Sequence, residues 1–342
     1  MNYMETPAKL YQNVLDARQT EDAIALIHDF FPGKLAAVLN LRRVTAPLIV
    51  PSGMGINDDL NGVEQPVRFS AKSLGNREVE VVQSLAKWKR ITLARLKVEP
   101  GKGIYTNMNA LRPDETLDAT HSIYVDQWDW EKCIADAQRN LEYFRRTVEQ
   151  IYSAMKDLES HIFEHFPQLA PVLPDKIHFI HTSELEARFP NLSHRQREYE
   201  SCRELGAVCI EGIGYPLSNG HPADGRAPDY DDWSTLRGDG KRGLNGDILV
   251  WHPTLQNSLE LSSMGIRVNS EALKLQLAMQ DCDNRRGLWY HRQLLEDKLP
   301  QSIGGGIGQS RLCMFLLRKS HIRDVQASVW PDECCASNNA MM

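Results

Sequence analysis

The densest glycine run in the chain, Gly304-Gly305-Gly306-Ile307-Gly308, leads straight into Gln309, Ser310 and Arg311. Glycines let a backbone lie close to a ligand. An arginine opening the next helix would offer a phosphate its planar fork of donors. Two familiar phosphate turns fail here. A dinucleotide fingerprint needs a third spaced glycine where Arg311 stands, and too little chain follows for the rest of a nucleotide-binding half. A P-loop needs Gly-Lys-Ser/Thr, which is missing. What remains is a glycine strand under a flat ligand such as adenine, with Gly306 and Gly308 as the close approach and Arg311 reaching a phosphate. The competing reading is a tight turn and a helix whose Arg311 makes a surface ion pair. Other candidates are weaker. His161 and His165 sit four apart without a third ligand or a His-Glu-x-x-His pattern, so they read as a solvated helix face rather than a zinc site. His178 and His181 fall in an expected strand and read as packing. No Ser–His–Asp set stands out.

The elements that must position this strand read as follows. Residues 8–31 predict a helix stopped by Pro32-Gly33, and the β-branched stretch from 35 to 50 runs toward a strand whose end Pro47 restricts. Residues 52–66 are a loop, and 78–83 and 121–128 are strands. Trp130, Ile134, Ala137, Leu141, Phe144, Val148, Ile151, Met155, Leu158 and Ile162 alternate steps of four and three, which predicts one long helix packed by its apolar stripe on a sheet. Further strands are expected at 176–181, 206–213, 246–252 and 259–268, with helices over 270–297, where a break is allowed, and 309–319. The polar stretch 214–246 is too long for an ordinary connection, so it is functional or disordered. The order lacks regular strand–helix alternation, and an α+β fold with a mainly antiparallel sheet fits it best.

Length allows about two domains or one large one. The net charge of −6 is a poor match for a polyanion, which argues against a nucleic-acid partner, although a local basic patch stays open. Seven cysteines, an odd number without Cys-x-x-Cys, read as free thiols in a reducing compartment. No apolar run reaches membrane-spanning length, and the N-terminus lacks a signal-peptide core. The expectation is a cytoplasmic protein with no membrane partner.

Three short motifs then fall in order: "VTAPL" (44–48), a strand ending in proline; "ALRPDE" (110–115), carrying Arg112; and the glycine strand with Arg311. Together with "ELSS" (260–263) they resemble the signatures of class II aminoacyl-tRNA synthetases. Longer strings narrow the likeness: "NDDLNGVEQPV" (57–67), "VVQSLAKWKR" (81–90), "YVDQWDWE" (124–131), "RAPDYDDWST" (226–235), "GLNGDILVW" (243–251) and "ELSSMGIRV" (260–268). From about residue 35 to 331 the chain resembles the ammonia-dependent asparagine synthetases.

That resemblance implies one class II synthetase-like catalytic domain over residues 1–342, with the N-terminal helix at 8–31 and a loose tail at 332–342 holding Cys334 and Cys335. It implies a homodimer that joins aspartate and ammonia using ATP and Mg2+, through a β-aspartyl adenylate, giving asparagine, AMP and diphosphate. Arg112 would take the α-phosphate and Arg311 the diphosphate end, with Asp58 as a third catalytic candidate. Asp247 and Glu260 would hold the magnesium. Asp58, Lys89, Gln127, Asp129 and Asp231 would line the aspartate site, with Ser84 and Ser263 nearby. Asp129 could instead cap the long helix, and Asp229 and Asp232 compete with Asp231 for its role. The general base is unassigned. Three rivals remain: a tRNA-charging synthetase, set against by the lack of a recognisable tRNA-binding domain; a glutamine-using synthetase, set against by Met1-Asn2 where a cysteine nucleophile would start the chain; and an inactive amino-acid-binding regulator.

Overall fold

In the computed structural model, residues 14–58, 60 and 64–331 are described. The tail, Cys334-Cys335, residues 8–13 of the expected first helix and part of the 57–67 string lie outside them. Helix α1 spans Ala17–Leu39, capped by Asp16, whose side chain accepts from the Gln19 amide. It runs through Pro32-Gly33 instead of stopping there. Thr20, Ala23, Ile27, Phe31, Leu35 and Leu39 are all buried at steps of three and four. A proline inside a helix costs ~3 kcal/mol, and burying Leu35 and Leu39 returns about 1.5–3 kcal/mol each. The strand expected from residue 35 therefore begins only at β1, Leu41–Arg43. Pro47 lies beyond that strand, in the link to β2, Ile49–Pro51.

Strands β3 (Arg68–Ala71) and β4 (Arg77–Val81) form a small sheet with β2 in the order β2-β4-β3, and α2 (Ala86–Arg95) follows. Then come β5 (Gly103–Leu111), β6 (Tyr124–Cys133) and α3 (Leu141–His165). The long helix thus starts eleven residues later than its spacing predicted. Trp130 belongs to β6, paired with Tyr105 and Gly305, and Ala137 lies exposed in a 3-10 turn. The 3–4 spacing ran on by coincidence through two buried residues, Trp130 and Ile134, that reach the same core from a strand and a loop. Asn140 caps α3 and accepts from the Tyr143 amide, so the capping alternative for Asp129 is excluded. From Phe144 to Ile162 the stripe is buried as expected, and α1 packs along it.

The rest of the chain supplies β7 (His178–His181), α4 (Thr182–Arg188), α5 (His194–Leu205), β8 (Ala207–Glu211), β9 (Asn245–His252), β10 (Asn257–Ile266), α6 (Ser270–Met279), α7 (Trp289–Leu295), β11 (Ser302–Gly308) and α8 (Gln309–Leu316). The large sheet is ordered β1-β5-β6-β11-β10-β9-β8-β7. Its inner pairs are all antiparallel, and only the end pairs β1–β5 and β7–β8 are parallel. The 214–246 stretch is irregular yet packed: Asp229, Asp231, Asp232, Trp233 and Ser234 are buried, and Asp231 bridges to Arg267. His181 caps α4, whereas His178 is exposed on β7 instead of packed in the core. Contrary to the sequence reading, His161 and His165 do have a third neighbour in Glu164, their ligand atoms lying within 4.8 Å, but His161 is spent stacking on Phe30. Among the described residues no helix is long and apolar enough to cross a membrane.

Candidate active site

In paired antiparallel strands, residues directly opposite one another point to the same face. Register then draws one straight row across four strands: Asp129 on β6, Gly306 on β11, Ser263 on β10 and Asp247 on β9. A second row runs Glu131, Gly304, Gly265, Asn245, and Gln127 faces Gly308. The glycines leave room for the side chains of their neighbours. A Cβ at Gly306 would lie 2.2 Å from Gln127 Oε1 and 2.5 Å from Asp129 Oδ1. One at Gly265 would lie 2.7 Å from Asp231 Oδ1. Over Gly306, then, stand two amino-acid-binding candidates instead of an open floor for a base. The nearest side chain to Gly308 is Arg311.

Above this face lies a cleft of about 380 Å3, within the range of small-molecule sites. It is lined by Asp58, Ser84, Lys89, Arg112, Gln127, Asp129, Asp231, Glu260, Ser263, Gly306, Gly308 and Arg311, so Arg112 and Arg311, far apart in sequence, converge on one pocket. Asp247 does not line it. Its buried carboxylate is held one layer back by Arg226, which does.

The floor of the cleft is a set of desolvated pairs. Lys89 Nζ sits 3.2 Å from Asp129 Oδ2 and donates to the Gly305 carbonyl at 2.9 Å. Burial pushes Lys89 down and Asp129 up, each countered by its partner's charge. Arg267 bridges Glu131, at 2.8 Å, and Asp231. Burial raises the Glu131 carboxyl, but Arg267, helped by Lys89 and Ser302, holds it below its ordinary value. Asp231 stays raised by burial despite Arg267 and Arg226. Asp247 is raised to about 7, by burial first and then by Glu260, against the pull of Arg226. At the other end Arg112 donates to the Gln83 carbonyl at 3.3 Å. Arg311, in the first turn of α8, donates to the carbonyls of Glu260 at 3.2 Å and Thr120 at 3.3 Å, and stands 3.8 Å from the Glu260 carboxylate. Its partners are cleft residues, so the ion pair it makes faces the pocket.

The aspartate trio resolves as well. Asp232 holds Arg139 and caps the Ser234 and Thr235 amides. Asp229 takes Lys87 and His291, both at 3.0 Å, and only Asp231 reaches the cleft. Sequence reasoning missed Arg226, Arg267 and Glu131, though all three lie in the strings quoted above. Charge balance was the available signal, since buried carboxylates in such number require buried bases.

The family model for aspartate-ammonia ligase matches residues 18–341. The chain is 54% identical to the aspartate–ammonia ligase of Bacteroides thetaiotaomicron, over 97% of this chain and 96% of that one. It is 51% identical to that of Clostridium perfringens, over 97% of each. The chain belongs to the aspartate–ammonia ligase family. It is a ligase that forms asparagine from aspartate and ammonia. Its fold is that of class II synthetases. The asparaginyl-tRNA synthetase of Entamoeba histolytica, solved with asparaginyl-adenylate, superposes with a TM-score of 0.67 at 14% identity, covering 91% of this chain and 66% of that one. The Pyrococcus horikoshii asparaginyl-tRNA synthetase, also with asparaginyl-adenylate, gives 0.65 at 13%, covering 91% and 70%.

Proposed function

We propose that this ligase works by adenylation, within a single synthetase-like catalytic domain. The observation that carries the reading is the polarity of the cleft: one end holds the arginines Arg112 and Arg311, the other the buried pairs Lys89–Asp129 and Arg267–Asp231. ATP binds at the first, with Arg112 on the α-phosphate, Arg311 on the diphosphate end, and Gly308 as the close approach for adenine. Aspartate binds at the second. Its α-ammonium meets Asp129 or Asp231, and its α-carboxylate meets Lys89, Arg267 and the Gln127 amide, with Ser84 and Ser263 beside them, while its β-carboxylate faces the arginine end. The α-ammonium and α-carboxylate exchange partners with those pairs and strand no charge there.

The β-carboxylate then attacks the α-phosphorus and diphosphate leaves. Ammonia attacks the β-carbonyl carbon and AMP leaves. Arg112 and Arg311 act by stabilising charge that grows on phosphate oxygens, as preorganised donors do, while Asp58 stands over the reacting end. Glu260 lines the cleft and supplies a hard oxygen that fits Mg2+, whereas Asp247, behind Arg226, would have to exchange that guanidinium for the ion. A bound Mg2+ would neutralise phosphate charge.

A homodimer is supported by Leu48, Ile49, Phe69 and Leu74, all exposed on or beside the small sheet. Free thiols at Cys133, Cys202, Cys209, Cys282 and Cys313 fit the cytoplasm. The test supplies aspartate, ATP, Mg2+ and ammonia and measures asparagine and AMP. ADP in place of AMP overturns adenylation, and a requirement for tRNA overturns the ligase reading.

A further inference from the structure

A second cavity, of about 350 Å3, adjoins the cleft and shares Asp58 and Glu64 with it. On its wall His291 is wholly buried, with Nε2 3.0 Å from Asp229 Oδ2. With that nitrogen donating to the carboxylate, the neutral ring presents a lone pair at Nδ1. Among the described residues neither His291 Nδ1 nor Asp229 Oδ1 has a hydrogen-bond partner. Gly55, also on the wall, keeps the space beside Nδ1 open, since a Cβ there would lie 3.0 Å from it. The charged groups lining the cavity are Asp58 and Glu64 from the loop, Glu78 and Glu80 from β4 and Asp229, against Arg68, Lys87 and Arg285. Arg68 pairs with Glu80, and Lys87 and Arg285 share Asp229 with His291 at 3.0 and 3.4 Å, so the acid excess that draws a small cation comes from Asp58, Glu64 and Glu78.

We propose that this cavity binds the ammonium ion and that His291, held by Asp229, takes its proton. The inference rests on the adenylate reading for the electrophile. Ammonium predominates at neutral pH and has no lone pair. In the cleft the carboxylates Asp129, Glu131 and Asp231 are already engaged by Lys89 and Arg267. In the second cavity one N–H bond of ammonium breaks and its proton goes to His291 Nδ1, giving an imidazolium stabilised by Asp229. The freed ammonia passes Asp58 into the cleft, and its lone pair forms the C–N bond. The C–O bond to AMP breaks with its electron pair leaving on the phosphate, and the new amide releases its second proton to solvent.

The test compares wild type with His291→Gln, whose amide nitrogen still donates to Asp229 but offers no base. Three rates are measured: aspartate-dependent ATP–diphosphate exchange, asparagine formation from ammonium, and hydroxamate formation from hydroxylamine, which is largely neutral at neutral pH. The expected result is a fall of about 10²-fold or more in kcat/KM for ammonium, the scale of a lost general base, with exchange and the hydroxylamine rate within threefold of wild type. An unchanged ammonium rate, or an equal loss with hydroxylamine, overturns the proposal. If His291→Gln loses exchange because it does not fold, Glu78→Lys decides. Glu78 is exposed on the cavity rim, and the charge reversal raises the ammonium KM about tenfold without moving the aspartate KM. An unmoved ammonium KM overturns the proposal. Absence of exchange in the wild type would instead sink the adenylate reading.

Discussion

Gly306→Ala isolates the role of the glycine strand. Gly306 does not have a positive φ, so alanine meets no backbone strain there and its whole effect is steric. The added methyl would sit 2.2 Å from Gln127 Oε1 and 2.5 Å from Asp129 Oδ1. Ordinary contact requires these oxygens to retreat by roughly 1 Å. Asp129 cannot do so alone, because it is opposite Gly306 in the ladder and holds the buried Lys89. Misplacing a positioning group by about 1 Å costs about 10²-fold, so kcat/KM for aspartate falls by that order in ATP–diphosphate exchange. Overpacking destabilises the fold by about 1–3 kcal/mol, measurable by urea titration. Gly308→Ala is the control: its Cβ meets the flexible Arg311 side chain first, at 3.2 Å, and any loss is in the ATP KM. A folded Gly306→Ala enzyme whose aspartate kcat/KM stayed within about twofold of wild type would refute the placing of Gln127 and Asp129 against the amino acid.

Arg112→Ala lowers the adenylation rate by about 10²–10³, the scale for one preorganised charge contact; near-normal ATP–diphosphate exchange in the purified variant sinks that role. His252 governs part of the acid stability. It is wholly buried, accepts from the Thr254 and Leu255 amides at Nδ1, and faces the Met314 carbonyl through Nε2. Burial pushes it from 6.5 down to about 4. A depressed histidine gives stability that is fully present above the unfolded value and lost as pH falls through the folded one, here up to about 3 kcal/mol between pH 6.5 and 4. Urea midpoints of His252→Gln across that window should fall less steeply than those of wild type, and parallel slopes would refute the assignment. Phe69→Glu puts a charge into the exposed apolar surface of the small sheet and should convert the proposed dimer to a monomer in analytical ultracentrifugation; an unchanged sedimentation coefficient would refute a dimer built on this surface.

Alternation made the strand at 78–81 legible, a continuous apolar run made the buried strand at 246–252 legible, and the 3–4 spacing made α3 legible from Leu141 onward. It failed where two elements feed one core. Trp130 and the α3 stripe are buried together, so spacing alone could not mark the end of β6. It failed again at Pro32, where a local breaker was outweighed by Leu35 and Leu39 packing along α3. The candidate site was legible in residue types carried by specific strings. Its arrangement was not, because register is a property of pairs of strands. No single segment says that Asp129, Gly306, Ser263 and Asp247 form one row, or that Arg226 stands between Asp247 and the cleft.

That row also accounts for the order in which charge must be supplied. Asp129, Glu131, Asp231 and Asp247 are buried carboxylates, against Lys89, Arg267 and Arg226 as their near neighbours. On the proposed placement the amino-acid end is therefore slightly acid-rich and would receive the α-ammonium of aspartate readily, while the β-carboxylate would be repelled toward the arginine end proposed for ATP. Amidation removes the charge of that carboxylate. The product then keeps the α-group contacts but loses the one that drew its side chain toward Arg112 and Arg311. On this argument asparagine leaves more easily than aspartate binds, and the same asymmetry that aims the nucleophile at ATP releases the amide.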